Sequence, residues 1–170
     1  MSAAPIEGRV VRLGDDVDTD VLLPGAYLNV TDPAELGRHL LEGYDPEVAA
    51  RVQAGDVVVA GRNMGCGSSR EHAVLALRAR GVQAVVAESF ARIFLRNCLN
   101  LGLPAVEHPA AARALADGER VRIDLGAGTV EGERGRWELP PQPPFLTELL
   151  RDGGLVPWVR RRLHAHDRER

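Results

Sequence analysis

Residues 57–72 read Val57-Val58-Val59-Ala60-Gly61-Arg62-Asn63-Met64-Gly65-Cys66-Gly67-Ser68-Ser69-Arg70-Glu71-His72. The first four form a continuous apolar run, the pattern of a strand buried on both faces. A glycine-bracketed loop follows. Apolar residues then recur at helical spacing as far as Gly81, which predicts a helix over about 69–80. The order repeats. Gln83–Ala87 reads as a second buried strand, and Ser89 stands where a helix cap belongs. That helix carries Phe90, Ile93, Phe94 and Leu101 and closes at Gly102. Leu103-Pro104-Ala105-Val106 is the third strand. A βαβαβ order implies parallel strands with right-handed crossovers.

Outward from this core the pattern changes. Residues 8–13 alternate as a strand does, and Asp15, Asp16, Asp18 and Asp20 lie in a polar loop running into Val21-Leu22-Leu23-Pro24. Asp32-Pro33 and Asp45-Pro46 each combine a good N-cap with proline at the first helical position. They predict a helix with Leu36, Leu40 and Leu41 on its apolar face, and a short one at 45–52. Toward the C-terminus, 120–125 alternates strictly, 126–128 turns, and Thr129-Val130-Glu131 starts back, an antiparallel hairpin. A proline-rich linker over 140–144 leads to helices at 145–150 and 155–163. The expected fold is α/β: a layered β/β/α domain with a parallel βαβαβ core and an antiparallel C-terminal hairpin. One domain spans 1–170, with a basic tail over about 164–170 expected to fray.

The chain has 170 residues, 45% apolar and 26% charged, with a formal charge of −3. That balance gives no reason to expect nucleic acid or an anionic membrane as partner. No segment approaches the ~20 apolar residues of a membrane span, and no signal peptide is legible. Cys66 and Cys98 are expected as free thiols in a reducing cytoplasm.

The loop after the first buried strand carries the chemistry. Ser68 and Glu71 spell Ser-x-x-Glu, a capping-box signature. The same geometry offers backbone N–H groups and the positive end of a helix dipole to an anion. A substrate carboxylate there gains Arg70 as a bidentate partner. Ser68 then stands where a base could take a proton from carbon next to that carboxylate. Two look-alikes fail: the nucleophile elbow lacks its second glycine, and the phosphate loop lacks its lysine. Cys66 reads as a small structural thiol, and His72 as a structural hydrogen-bonder.

Gly61–Ala73 (GRNMGCGSSREHA) resembles the signature of the small subunits of 3-isopropylmalate dehydratase, the swivelling domain of the aconitase superfamily. Asp16–Gly25 (DVDTDVLLPG) is similar to that family's N-terminal loop. Ala87–Pro104 (AESFARIFLRNCLNLGLP) is similar to its second long block. Gly118–Asp124 and Gly153-Gly154-Leu155 fit its C-terminal part. The likeness runs in order over roughly residues 8–163.

The resemblance implies a hydro-lyase that interconverts 2-isopropylmalate and 3-isopropylmalate through an alkene, a step of leucine biosynthesis. By the same carry-over Ser68 is the base, and Ser69 and Arg70 hold a substrate carboxylate. Thr19 and Asp20 enter the site from the other loop. Tyr27, Leu28, Asn29 and Val30 match the loop that meets the substrate's variable group. The resemblance also implies a [4Fe–4S] cluster as Lewis acid. Cluster ligation takes three or four cysteine thiolates, so two cysteines imply a large subunit that carries it. The substrate is then a small hydroxy-dicarboxylate, and the chain is half of a shared site.

Three departures stand out. Ala26 replaces an arginine common in relatives, Met64 a phenylalanine, and Arg62 a glutamate. Asn29 carries no charge to meet a third carboxylate, which favours isopropylmalate over the tricarboxylate of a homoaconitase. The other readings are another substituted-malate dehydratase, a non-catalytic anion-binding module, or a stand-alone structural protein.

Overall fold

A computed structural model of the chain describes residues 4–168. The N-terminal half runs β1 (Ile6–Arg12), α1 (Thr19–Leu22), a 3-10 turn over Gly25–Tyr27, α2 (Pro33–Arg38), α3 (Pro46–Arg51), β2 (Val57–Ala60) and α4 (Glu71–Ala79). The remainder is β3 (Ala84–Ala87), α5 (Arg92–Asn100), β4 (Ala105–Glu107), α6 (Pro109–Ala114), β5 (Arg120–Asp124), β6 (Thr129–Gly132), β7 (Gly135–Glu138), α7 (Pro144–Arg151) and α8 (Leu155–Arg168). Among the described residues no helix is long and apolar enough to cross a membrane.

One seven-stranded sheet has the order β4-β3-β2-β1-β5-β6-β7. β1 to β4 pair in parallel, and β1, β5, β6 and β7 pair antiparallel. β1 is therefore the junction, with Val10 opposite Val57 on one side and Gly8 opposite Val121 on the other. The expected mixed α/β architecture is what the chain adopts.

Every residue of β2 and β3 is buried. A buried valine side chain gains roughly 1.5–3 kcal/mol over exposure, so these runs are stable only where both faces are covered. Val58, Ala60, Val85 and Ala87 join Leu36, Leu77 and Phe94 in one core. Val57, Val59, Ala84 and Val86 join Ala111, Leu115, Ile123 and Val130 in a second. Alternation along the strand sends neighbouring valines into different cores.

Several boundaries differ from expectation for local reasons. Ser89 does not cap α5: the cap is Ala91, without a side-chain bond, and the Ser89 hydroxyl oxygen accepts from the Asn63 N–H at 2.8 Å. The hairpin gains a third strand, β7. α6 is an additional helix, capped by the His108 ring, whose Nδ1 accepts from the Ala111 N–H at 3.1 Å. α8 continues past residue 163 to Arg168, and the last two residues of the expected tail lie outside the described ones.

Candidate active site

The loops that follow β1 and β2 lie side by side beyond the ends of these two parallel strands. The Gly65 N–H donates to the Val17 carbonyl (2.8 Å), the Thr19 N–H to Cys66 (2.9 Å), and the Asp16 N–H to Arg62 (2.8 Å). Asp18 and Cys66 form a parallel bridge. The two loops are thus joined by backbone bonds although 46 residues or more separate the partners in sequence.

Two glycines make this possible. Gly65 has φ +79°, and a Cβ there would collide with the Phe94 ring. Gly67 has φ +90°, and its Cβ would collide with the Asp18 carboxylate. Only glycine takes such angles freely, and only glycine allows both approaches. The Asp18 carboxylate also accepts from the Asp20 N–H at 2.7 Å and so caps α1, which presents Thr19 and Asp20.

Thr19 is almost wholly buried, at 1% exposure, and its hydroxyl donates to the Ser68 carbonyl at 3.0 Å. Ser68 and Ser69 are exposed. The expected capping box does not form. α4 begins at Glu71, its N-cap is Arg70 in extended conformation, and no side chain caps it. Ser68 lies two residues outside the cap, because the αL turn at Gly67 and extended Arg70 carry the chain around before the helix starts.

Arg70 and Asp20 form an ion pair, with side chains 22% and 54% exposed. Arg70 Nη1 is buried against the Asp20 carboxylate. Asp20 therefore holds one end of the guanidinium, and the planar fork of an arginine leaves further N–H groups that can donate to a carboxylate. Gly25 lies beside it: a Cβ on Gly25 would stand 3.4 Å from Arg70 Nη1. The structure thus gathers Ser68, Ser69, Arg70, Thr19 and Asp20, with the start of the 24–30 loop against them.

Farther along that loop the expected residues diverge. Tyr27 stacks on His39 with ring centroids 3.7 Å apart and planes 11° from parallel. Leu28 is half-buried and Asn29 exposed, while Val30 packs partly against the core. His39 and Glu42 were not legible as site neighbours from sequence, since no local pattern links them to Tyr27. Asp18 was more legible, as a short polar side chain two residues before the N–H it caps.

The departures at 62 and 64 have structural accounts. Arg62 forms a forked pair with Asp15, Nε at 3.2 Å and Nη2 at 2.9 Å, and its own N–H donates to Asp15 at 2.8 Å. The Arg62 amide and guanidinium hold the Asp15 carboxyl below its usual range. Met64 is completely buried in the core.

The thiols do not fit an iron–sulfur cluster. Cys98 is wholly buried in α5, and burial pushes its thiol up to about 12. Burial, then the Asp18 and Asp16 carboxylates, also raise Cys66. Two thiols, one of them sealed in the core, are fewer than the three or four that cluster ligation takes.

The aconitase C-terminal domain family matches residues 17–111. A 3-isopropylmalate dehydratase small subunit from Moorella thermoacetica is 52% identical over 160 residues, covering 93% of this chain and 96% of that protein. A small subunit from Methanopyrus kandleri is 49% identical, covering 92% and 93%. The crystal structure of a 3-isopropylmalate dehydratase from Methanocaldococcus jannaschii matches with a TM-score of 0.91 at 40% identity, over 98% of this chain and 100% of that one. On sequence and fold together, this chain belongs to the family of 3-isopropylmalate dehydratase small subunits, built on the aconitase C-terminal domain.

Proposed function

We propose that this chain supplies one half of an active site that isomerises 2-isopropylmalate to 3-isopropylmalate in leucine biosynthesis. The observation that carries the reading is an exposed Ser68 two residues before Arg70, whose guanidinium is held by Asp20 from the neighbouring loop. Arg70 and Ser69 bind a substrate carboxylate near the open N–H groups of α4, where the dipole also favours an anion. Ser68 takes the proton from the carbon next to it. Hydroxide leaves from the neighbouring carbon, and water returns across the double bond in the opposite sense. Thr19 holds the Ser68 backbone in place, and Asp20 orients Arg70.

The departing hydroxide needs an electrophile, and this chain's donor set does not provide one. We infer that a large subunit brings it, as a [4Fe–4S] cluster, so that neither chain turns over substrate alone. Two free cysteines are in keeping with work in the cytoplasm. Uncharged Asn29 weighs against a tricarboxylate substrate, and an exposed serine base is more than a simple anion-binding module needs.

The test is anaerobic reconstitution with the family's large subunit, with isopropylmalate, homocitrate and citrate assayed side by side. Isopropylmalate turnover that disappears in Ser68→Ala, with unchanged unfolding, is the expected result. Near-normal turnover of that variant would remove Ser68 as base.

A further inference from the structure

The 24–30 loop is held at two points. At its start Gly25 lies against Arg70. Two residues on, Tyr27 lies flat on His39. The His39 Nδ1 is 2.8 Å from Glu42 Oε2, and the Tyr27 hydroxyl helps hold the Glu42 carboxyl below its ordinary range. Glu42 therefore steadies the ring on which Tyr27 rests.

These supports are not on loose elements. His39 ends α2, and its N–H donates to the Leu36 carbonyl at 3.1 Å. α2 lies so close to the end of α4 that a Cβ on Gly37 would stand 3.0 Å from the Arg80 amide nitrogen and 3.1 Å from the Ala79 side chain. Leu41, at φ +62°, donates its N–H to the Leu22 carbonyl of α1 at 2.8 Å. The elements that present Arg70, Thr19 and Asp20 thus also carry the platform under Tyr27.

Between these anchors the loop's own bonds are short-range. Leu28 N–H donates to Gly25 at 3.3 Å and Val30 N–H to Tyr27 at 3.0 Å. Asn29 is exposed between them. We propose that His39 and Glu42 are positioning residues for substrate selection: through Tyr27 they set the pose of Leu28 and Asn29 relative to Arg70. This rests on the reading that the loop meets the substrate's variable group.

The experiment uses the reconstituted complex, with 2-isopropylmalate and homocitrate as probes and His39→Ala, His39→Phe, Glu42→Gln and Asn29→Arg as variants. Hydrogen exchange of the Leu28 and Val30 amides is followed in parallel. His39→Ala is expected to raise KM for 2-isopropylmalate about fivefold with kcat within about twofold. It should also speed exchange of the two loop amides by a similar factor, leaving α4 amides unchanged. His39→Phe, which keeps a ring under Tyr27, should restore most of the KM, and Glu42→Gln should give a smaller rise. If Asn29→Arg changes the substrate ratio while His39→Ala changes neither KM nor exchange, the positioning role is overturned and the loop's role stands. If His39→Ala loosens the loop but neither variant changes KM or the substrate ratio, the loop is not the selector, and this inference falls with it.

Discussion

The Thr19 hydroxyl donates to the carbonyl oxygen of Ser68 at 3.0 Å, across 49 residues of sequence. Thr19 is nearly unexposed, while the serine it holds faces solvent. A buried hydroxyl thus fixes the backbone that carries the proposed base. Thr19→Val keeps the shape and removes the bond, so it should cost about 1 kcal/mol of stability. Turnover in the complex should fall at least about tenfold with little change in KM, the pattern of an interaction that matters in the transition state. Thr19→Ser should recover most of it. Urea unfolding and steady-state kinetics on the three proteins check this.

Gly67 is where backbone angle and close approach coincide. Gly67→Ala must hold alanine at φ +90° and push against the Asp18 carboxylate. It should cost about 1–3 kcal/mol and abolish turnover, since Asp18 caps α1 and thereby places Asp20. Exposed Ser68→Ala should stay within about 0.5 kcal/mol of the parent. Chemical denaturation separates the two: equal stabilities would mean that the loop's strain is negligible.

Asn29 is exposed, so Asn29→Arg should leave folding unchanged while offering a charge to a third carboxylate. The ratio of kcat/KM for homocitrate to that for 2-isopropylmalate should rise by about tenfold or more. An unchanged ratio would show that selection lies elsewhere.

Both thiols should be unreactive near neutral pH. Cys98 is wholly buried with its pKa pushed up to about 12, and burial also raises Cys66. Since the thiolate is the nucleophile, native protein should be alkylated far more slowly than a free cysteine. Cys66 should react first, and Cys98 only on unfolding. Mass spectrometry after timed iodoacetamide treatment reads both, and fast labelling of Cys66 would contradict the account of its surroundings.

Asp15 and Glu42 are both held below their ordinary values of 3.8 and 4.5. The Arg62 amide and guanidinium do this for Asp15; the Tyr27 hydroxyl and then His39 do it for Glu42. A carboxyl depressed in the folded state contributes stability above its unfolded pKa and loses it as pH falls through the folded one. The urea midpoint should therefore hold through neutral pH and fall below about pH 4. Asp15→Asn and Glu42→Gln should each flatten that acid limb. An unchanged limb in both would place the acid sensitivity in other carboxyls, such as Asp117 and Glu148, which are also depressed.

The elements read most directly were those with no local competitor. β2 and β3 are unbroken apolar runs, and Asp32-Pro33 and Asp45-Pro46 start helices by their own side chains: the Asp32 carboxylate accepts from the Ala34 N–H and the Asp45 carboxylate from the Glu47 N–H. α6 escaped because its stretch is alanine-rich, without a strong apolar face, and its cap is a histidine ring. β7 is four residues at the sheet edge, legible only through its pairing with β6. Ser68 and Ser89 looked like caps because the cap pattern is local. Ser89 is diverted by a distant partner, the Asn63 N–H at its hydroxyl, and Ser68 stands outside the helix because the turn at Gly67 and extended Arg70 delay its start.

By itself the sequence determined the buried parallel core, the glycine-bracketed loop and the family, because periodicity, backbone permissiveness and motif are properties of neighbouring residues. Only the tertiary structure decided that Arg70 meets Asp20, that Gly25 lies beside that pair, and that Tyr27 rests on His39. These contacts depend on which strand ends sit side by side and on how closely α2 approaches α4. No local pattern carries that information, because it is set by how the whole sheet and its helices pack.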